Sequence, residues 1–178
     1  MKERTKTLSF AAVLAALSLV VLFLSAVAPT GRLALVAVAG LLPAAAVIRF
    51  GIPGGLFCYA VTGILSLLLL PDKGTAVLYL LFFGHYPVVK SLIERLGKLP
   101  LEWFLKLCVF NALLFVLYFG FFTLFAETVP AVADFALFAF LLGNAAFIVY
   151  DLGFSRLIFS FRGRLAGLWG KGTRPPGV

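Results

Sequence analysis

The amino-acid sequence predicts an all-α integral membrane protein: a single domain of six transmembrane helices, with both termini in the cytoplasm. Three observations predict it. Hydrophobic residues make up 63% of the 178 residues and charged residues only 12%, about half the roughly 25% charged share of a soluble domain. The stretch from Thr7 to Ala28 carries no charge, and at about 1.5 Å per residue it is long enough to cross a hydrocarbon core of about 30 Å. The basic residues also alternate along the chain in a way that fits six crossings.

The elements follow in order. A basic leader with Lys2, Arg4 and Lys6 precedes the first span, 7–28. Pro29, Thr30 and Gly31 form a turn. The second span covers 32–48, and Arg49, Gly51, Pro53, Gly54 and Gly55 break the chain before the third, 56–70. Pro71 to Gly74 is a short turn. The fourth span, 75–96, is interrupted at Gly84-His85-Tyr86-Pro87 and ends as an amphipathic stretch. The fifth covers 101–125 and the sixth 131–158, and a basic cytoplasmic tail occupies 159–178. The first helix lacks a clear cleavage site before a polar mature domain, so it is expected to be a retained span.

Charge placement tests this topology. With the N-terminus inside, Lys2, Arg4, Lys6, Arg49, Lys90, Arg95, Lys98, Lys106, Arg156, Arg162, Arg164, Lys171 and Arg174 lie on the inner side. Of the 15 basic residues, only Arg32 and Lys73 fall outside. Such an excess of Lys and Arg in cytoplasmic segments is the normal bias. The formal charge of +8 is then matched to anionic lipid rather than to nucleic acid. These features point to a multi-pass protein of a cell membrane.

The first span carries Ala11, Ala12, Ala15 and Ala16 on one broad face, opposite Val13, Leu14, Leu17, Val20 and Val21. Small residues four apart let another helix approach closely in lipid. Packing within the same chain is the other use of such a face. Polar residues at membrane depth form a second group: His85, Asn111, Asn144 and Asp151. An ionisable group in lipid costs several kcal/mol unless it faces the bundle interior or a partner, so an inner polar belt is expected. It serves either as interhelical glue or as a ligand site. Candidate partners of Asp151 are His85, Lys90, Arg156 and Arg49.

Enzyme signatures are absent. A single histidine excludes a two-histidine metal site, and there is no Gly-x-Ser-x-Gly elbow, Walker loop or carboxylate cluster for Mg2+. Cys58 and Cys108 lie in apolar runs, which argues against a disulfide or metal. No enzyme activity, cofactor or metal is expected.

The chain resembles the substrate-binding S components of energy-coupling factor (ECF) transporters. The resemblance rests on the basic leader followed by Leu8-Ser9-Phe10-Ala11-Ala12-Val13-Leu14-Ala15-Ala16-Leu17-Ser18-Leu19-Val20, on six spans in under 200 residues, and on Phe50-Gly51-Ile52-Pro53-Gly54-Gly55 opening the third span. It implies vitamin or micronutrient uptake. Two ATPase subunits would supply the energy through a transmembrane coupling subunit, on which Ala11 and Ala15, with the parallel pair Ala12 and Ala16, would dock. It also implies capture of the substrate from outside, beneath the loops joining spans one to two, three to four and five to six. The 20 Phe and 5 Tyr suit a largely apolar or aromatic solute, with polar contacts expected among Arg32, Lys73, Tyr79, Tyr118, Glu127 and Asp134. The alternative is a non-transporting membrane scaffold of an envelope-building complex, similar to the rod-shape protein MreD.

Overall fold

The computed structural model describes residues 2–125 and 132–168, and every described element is helical. In order these are α1 (Lys2–Val27), α2 (Arg32–Leu69), α3 (Lys73–Leu78), a π-helical turn (Tyr79–Phe83), α4 (Tyr86–Ile93), a 3-10 turn (Glu94–Leu96), α5 (Leu99–Phe125) and α6 (Val132–Leu168). Five helical stretches are long and apolar enough to cross a membrane: Leu8–Val27, Arg32–Leu69, Lys73–Leu96, Leu99–Gly120 and Phe140–Ser160. The protein is therefore an all-α, multi-pass membrane protein by length and composition. The chain forms two compact units, one built on Met1–Arg95 and the other on Leu96–Leu168.

In the first unit, α2 would be about 57 Å long if straight, but it folds back on itself. Gly51 has φ 73° and ψ −169°, a conformation essentially restricted to glycine. A Cβ placed on Gly55 would lie 3.3 Å from the Pro43 carbonyl oxygen and closer still to the Val47 side chain. Residues eight and twelve apart in a straight helix are roughly 12 and 18 Å apart. The limbs 32–50 and 52–69 are thus antiparallel, with Gly51 at the tip. At the open end Arg32 and Asp72 meet at 3.8 Å. The expected break over 49–55 is therefore one residue wide. Pro53 follows it early in the second limb, where its missing N–H costs no helical bond.

Helix α1 is clasped by both limbs. Ala11, Ala15, Ser18, Leu22 and Ser25 are all buried, and their 4-3-4-3 spacing is a single helical seam. Ser18 Oγ donates to Ala39 O at 3.0 Å. Ser25 Oγ donates to Arg32 O at 2.9 Å. Thr62 Oγ1, from the second limb, donates to Ala15 O at 3.2 Å. With little hydrophobic drive between helices in lipid, small residues and hydrogen bonds of this kind supply the association. Leu14 was expected on the opposite face, but its Cβ falls on the seam side and it is only 9% exposed.

In the second unit, α5 and α6 run antiparallel. Leu114 lies against Gly143, where an added Cβ would meet the leucine at 3.1 Å. Phe110 stacks on Phe147 with centroids 4.3 Å apart. Helix α6 continues to Leu168, ten residues beyond the expected end of the sixth span.

Candidate functional site

The interruption expected at Gly84-His85-Tyr86-Pro87 is real, and it is built from backbone hydrogen bonding. Pro87 has no N–H and cannot continue a helix through this point. Gly84 N bonds Tyr79 O, five residues back, at 2.7 Å, which closes the wide π-helical turn. The Leu80 carbonyl thereby loses the N–H that an α-helix would have offered it. Two side chains replace it: Tyr59 Oη donates from α2 at 3.1 Å, and His85 Nδ1 lies at 3.1 Å. A carbonyl oxygen only accepts, so His85 carries its hydrogen on Nδ1 in this contact.

Glycines let the break seat against α2. A Cβ on Gly40 would lie 2.6 Å from the Phe83 carbonyl oxygen, and one on Gly63 would clash with the Leu80 side chain. A Cβ on Gly84 would lie 2.7 Å from ring atoms of both Tyr59 and Tyr79. These two rings close over the break with centroids 6.2 Å apart, and His85 meets Tyr59 edge-on at 6.1 Å.

The interior beside this break is rich in hydroxyls. Ser18, Thr62, Ser66 and Tyr79 are fully buried. Ser18 and Thr62 donate to carbonyls of neighbouring helices, and Ser66 Oγ donates to Gly63 O at 2.8 Å. Tyr79 Oη has no hydrogen-bond partner among the described residues. The hydroxyls of Ser18 and Thr62 lie beside it, and their oxygens, whose hydrogens go to Ala39 O and Ala15 O, are open to accept from a small shift of the ring.

At the open end of the α2 hairpin, Asp72 caps α3, accepting from Gly74 N at 2.9 Å and from Thr75 Oγ1 at 2.8 Å. The Thr75 hydroxyl above all, helped by the amides of Gly74 and Thr75 and the nearby Arg32, holds the Asp72 carboxyl below its usual range, against the opposing effect of partial burial. Arg32 Nε donates to Ala28 O at 2.9 Å. Lys73 Nζ donates to Leu67 O at 2.7 Å and Leu70 O at 2.9 Å, closing the last turn of α2.

In the second unit, Asn111 and Asn144 form a reciprocal amide pair, and Lys106 Nζ reaches Asp151 Oδ2 at 3.4 Å with both side chains buried. Ser155 Oγ donates to Asp151 O at 2.7 Å, and Lys106 lies over the Trp103 ring at 5.7 Å.

The expected site residues therefore separate. Of the alanines, Ala11 and Ala15 are covered by their own chain, whereas Ala12 and Ala16 are exposed. The four do not make one face, because successive residues lie about 100° apart around the helix. Arg32 and Lys73 meet around the Asp72 turn, Tyr79 is in the core and Tyr118 is half-buried on α5. Glu127 lies outside the described residues, as does the side chain of Asp134. The inner belt resolves into Asn111 with Asn144, and Asp151 with Lys106, while His85 belongs to the first unit and bonds its own helix. Lys106 was not among the partners foreseen for Asp151. Ser18, Tyr59 and Thr62 were also missed. The α5–α6 register would have indicated Lys106, but no local pattern marks the other three. No family model matches this chain, and no curated protein or solved structure matches it.

Proposed function

We propose that this chain is the solute-capture subunit of a micronutrient uptake transporter in the bacterial cell membrane, powered by two partner ATPases through a transmembrane coupling subunit. The observation that carries the proposal is the broken helix at Tyr79–Pro87, packed by glycines against α2 and set beside a buried cluster of hydroxyls. Interrupted helices whose freed carbonyls face protein interior are how membrane transporters build solute sites, and a scaffold has no need of one. The fold-back at Gly51 supports counting α2 as two spans of 19 and 18 residues (32–50 and 52–69), about 28 and 27 Å each. Counted in that way the spans number six, and the excess of Lys and Arg then falls on the cytoplasmic side with both ends inside. Ala12 and Ala16 remain available on α1 for the coupling subunit. No cofactor and no catalytic residue enter this proposal.

The deciding experiment is mass spectrometry of small molecules released from the purified full-length protein. A stoichiometric solute that returns on reconstitution is the expected result. An empty protein that co-purifies instead with envelope-building machinery would overturn it in favour of the scaffold. One observation favours that second function: Leu101, Phe104, Cys108, Ala112, Phe115 and Phe119 form an exposed ridge along α5, which would suit packing against other membrane helices.

A further inference from the structure

We infer that the outer face of α6 around Arg156 is a docking surface for the phosphate headgroups of anionic phospholipid, with Arg156 as its anchor. The site lies within the second unit and does not depend on solute capture. Arg156 sits four residues inside the end of the apolar stretch Phe140–Ser160, about 6 Å along the helix axis. It is exposed there, on a face it shares with Val149, Leu152, Gly153, Phe159 and Ser160, all of them exposed as well. Phe147, Asp151 and Phe154 occupy the opposite side of the helix and are buried. Asp151 is turned about 140° away from Arg156 around the helix and meets Lys106 instead. No hydrogen bond, ion pair or ring contact holds the Arg156 guanidinium among the described residues. A Cβ added at Gly153 would meet nothing within 4 Å, so the space beside the arginine is open.

Depth and charge select lipid as the occupant. A cation inside an apolar span is costly unless an anion meets it or its long side chain reaches the interface. At the end of a span the anion within reach is a headgroup phosphate, which a guanidinium grips through two hydrogen bonds. The same face continues as an apolar surface, with Val149 71% and Phe159 82% exposed, which suits acyl chains better than an acidic protein groove. The charge continues past the span. Helix α6 runs eight residues beyond Ser160, to Leu168, about 12 Å. Arg164 lies two four-residue steps after Arg156 and so falls near the same face, with Ser160, Gly163 and Gly167 beside it in the helical register. Arg162 falls off this face. Small residue types next to arginine leave a headgroup room to approach. From Leu152 to Val178 the sequence holds five basic residues, Arg156, Arg162, Arg164, Lys171 and Arg174, and no acidic one. A basic cluster directly after a membrane span is the pattern that attracts anionic lipid.

The test titrates the full-length protein in neutral detergent with phosphatidylglycerol (anionic) and phosphatidylcholine (zwitterionic), counting bound lipid by native mass spectrometry. Wild type should bind phosphatidylglycerol at least about tenfold tighter than phosphatidylcholine. Arg156→Gln and Arg164→Gln should each weaken phosphatidylglycerol binding about fivefold, and the double variant about 25-fold. Arg95→Gln, which removes an exposed basic residue of the first unit, should weaken it less than about twofold. The thermal midpoint of Arg156→Gln without added lipid should equal that of wild type, because no bond within the protein is lost. Equal affinity of wild type for the two lipids overturns the site. So does a loss in Arg95→Gln as large as that in Arg156→Gln, which would reduce the effect to net charge, or a lowered midpoint in Arg156→Gln, which would give that arginine a structural role. A double variant that keeps its lipid preference but loses a co-purifying protein subunit would assign the face to a protein partner instead.

Discussion

Asn111 and Asn144 exchange two hydrogen bonds across the α5–α6 seam, each amide nitrogen donating to the other's carbonyl oxygen at 2.9 Å. Each nitrogen also donates to a carbonyl of its own helix, Leu107 O at 2.8 Å and Phe140 O at 2.9 Å. Both hydrogens of each amide are used, so the pair, together with the Lys106–Asp151 contact one to two turns away, helps to fix the register of the two helices.

This pair should behave as a unit. Asn111→Leu and Asn144→Leu should each lower thermal stability, because each strands the other amide. The double variant should lose less than the sum. A double-mutant cycle in detergent should return a coupling of about 0.6–1.7 kcal/mol; additive losses would show that the two amides do not depend on one another.

The Lys106–Asp151 contact predicts a steeper asymmetry. Removing one partner leaves a buried charge, which costs about 3–5 kcal/mol, whereas replacing both with apolar residues is often neutral. Asp151→Asn and Lys106→Met should therefore each destabilise the protein more than Lys106→Met/Asp151→Leu does. Asp151→Asn should lower the unfolding temperature more than it lowers solute affinity. If affinity falls first, Asp151 belongs to a binding site.

Gly51 should tolerate no side chain. Its positive φ with extended ψ strains any L-residue by about 1–3 kcal/mol, so Gly51→Ala should cut folded yield and thermal midpoint. Gly153→Ala is the control: its position has nothing within 4 Å, and in a helix the change is neutral or stabilising by up to about 1 kcal/mol. Equal behaviour of the two variants would argue against the fold-back.

The alanines give a matched pair. Ala15→Trp should disrupt the folding of the first unit, because Ala15 is 1% exposed and its carbonyl accepts from Thr62. Ala16→Trp projects outward and should leave the fold intact while abolishing co-purification with a coupling subunit. An Ala16→Trp protein that still assembles would remove this face from the docking surface.

Asp72 carries a pH dependence. Its folded pKa lies below the ordinary carboxyl value of 3.8, so its contribution to stability is complete above that value and is lost as the pH falls through the folded pKa. The Tm advantage of wild type over Asp72→Asn should be constant near neutrality and shrink from about pH 4 downward. An advantage that does not change with pH would mean that the carboxylate's charge contributes nothing to the cap.

By itself the sequence determined the all-helical, membrane-crossing character of the chain and the approximate place of each turn. Length and apolarity are properties of contiguous residues, and lipid leaves a continuous backbone few alternatives to a helix. It also marked the break before Pro87, because a missing N–H is a local fact. Tertiary structure decided which groups meet. Ala11 and Ala15 differ from Ala12 and Ala16 only by a rotation around α1, and the arrival of α2 made one pair core and left the other exposed. Asp151 found Lys106 rather than the cations proposed for it because the antiparallel register of α5 and α6 brings position 106 to 151, and nothing near either residue in the chain encodes that sum. The Leu80 carbonyl takes its hydrogen bond from Tyr59, 21 residues away, and Tyr79 is enclosed by residues from α1 and both limbs of α2. Such sites depend on helices meeting at a distance, and so the buried hydroxyl cluster became visible only once the chain was folded.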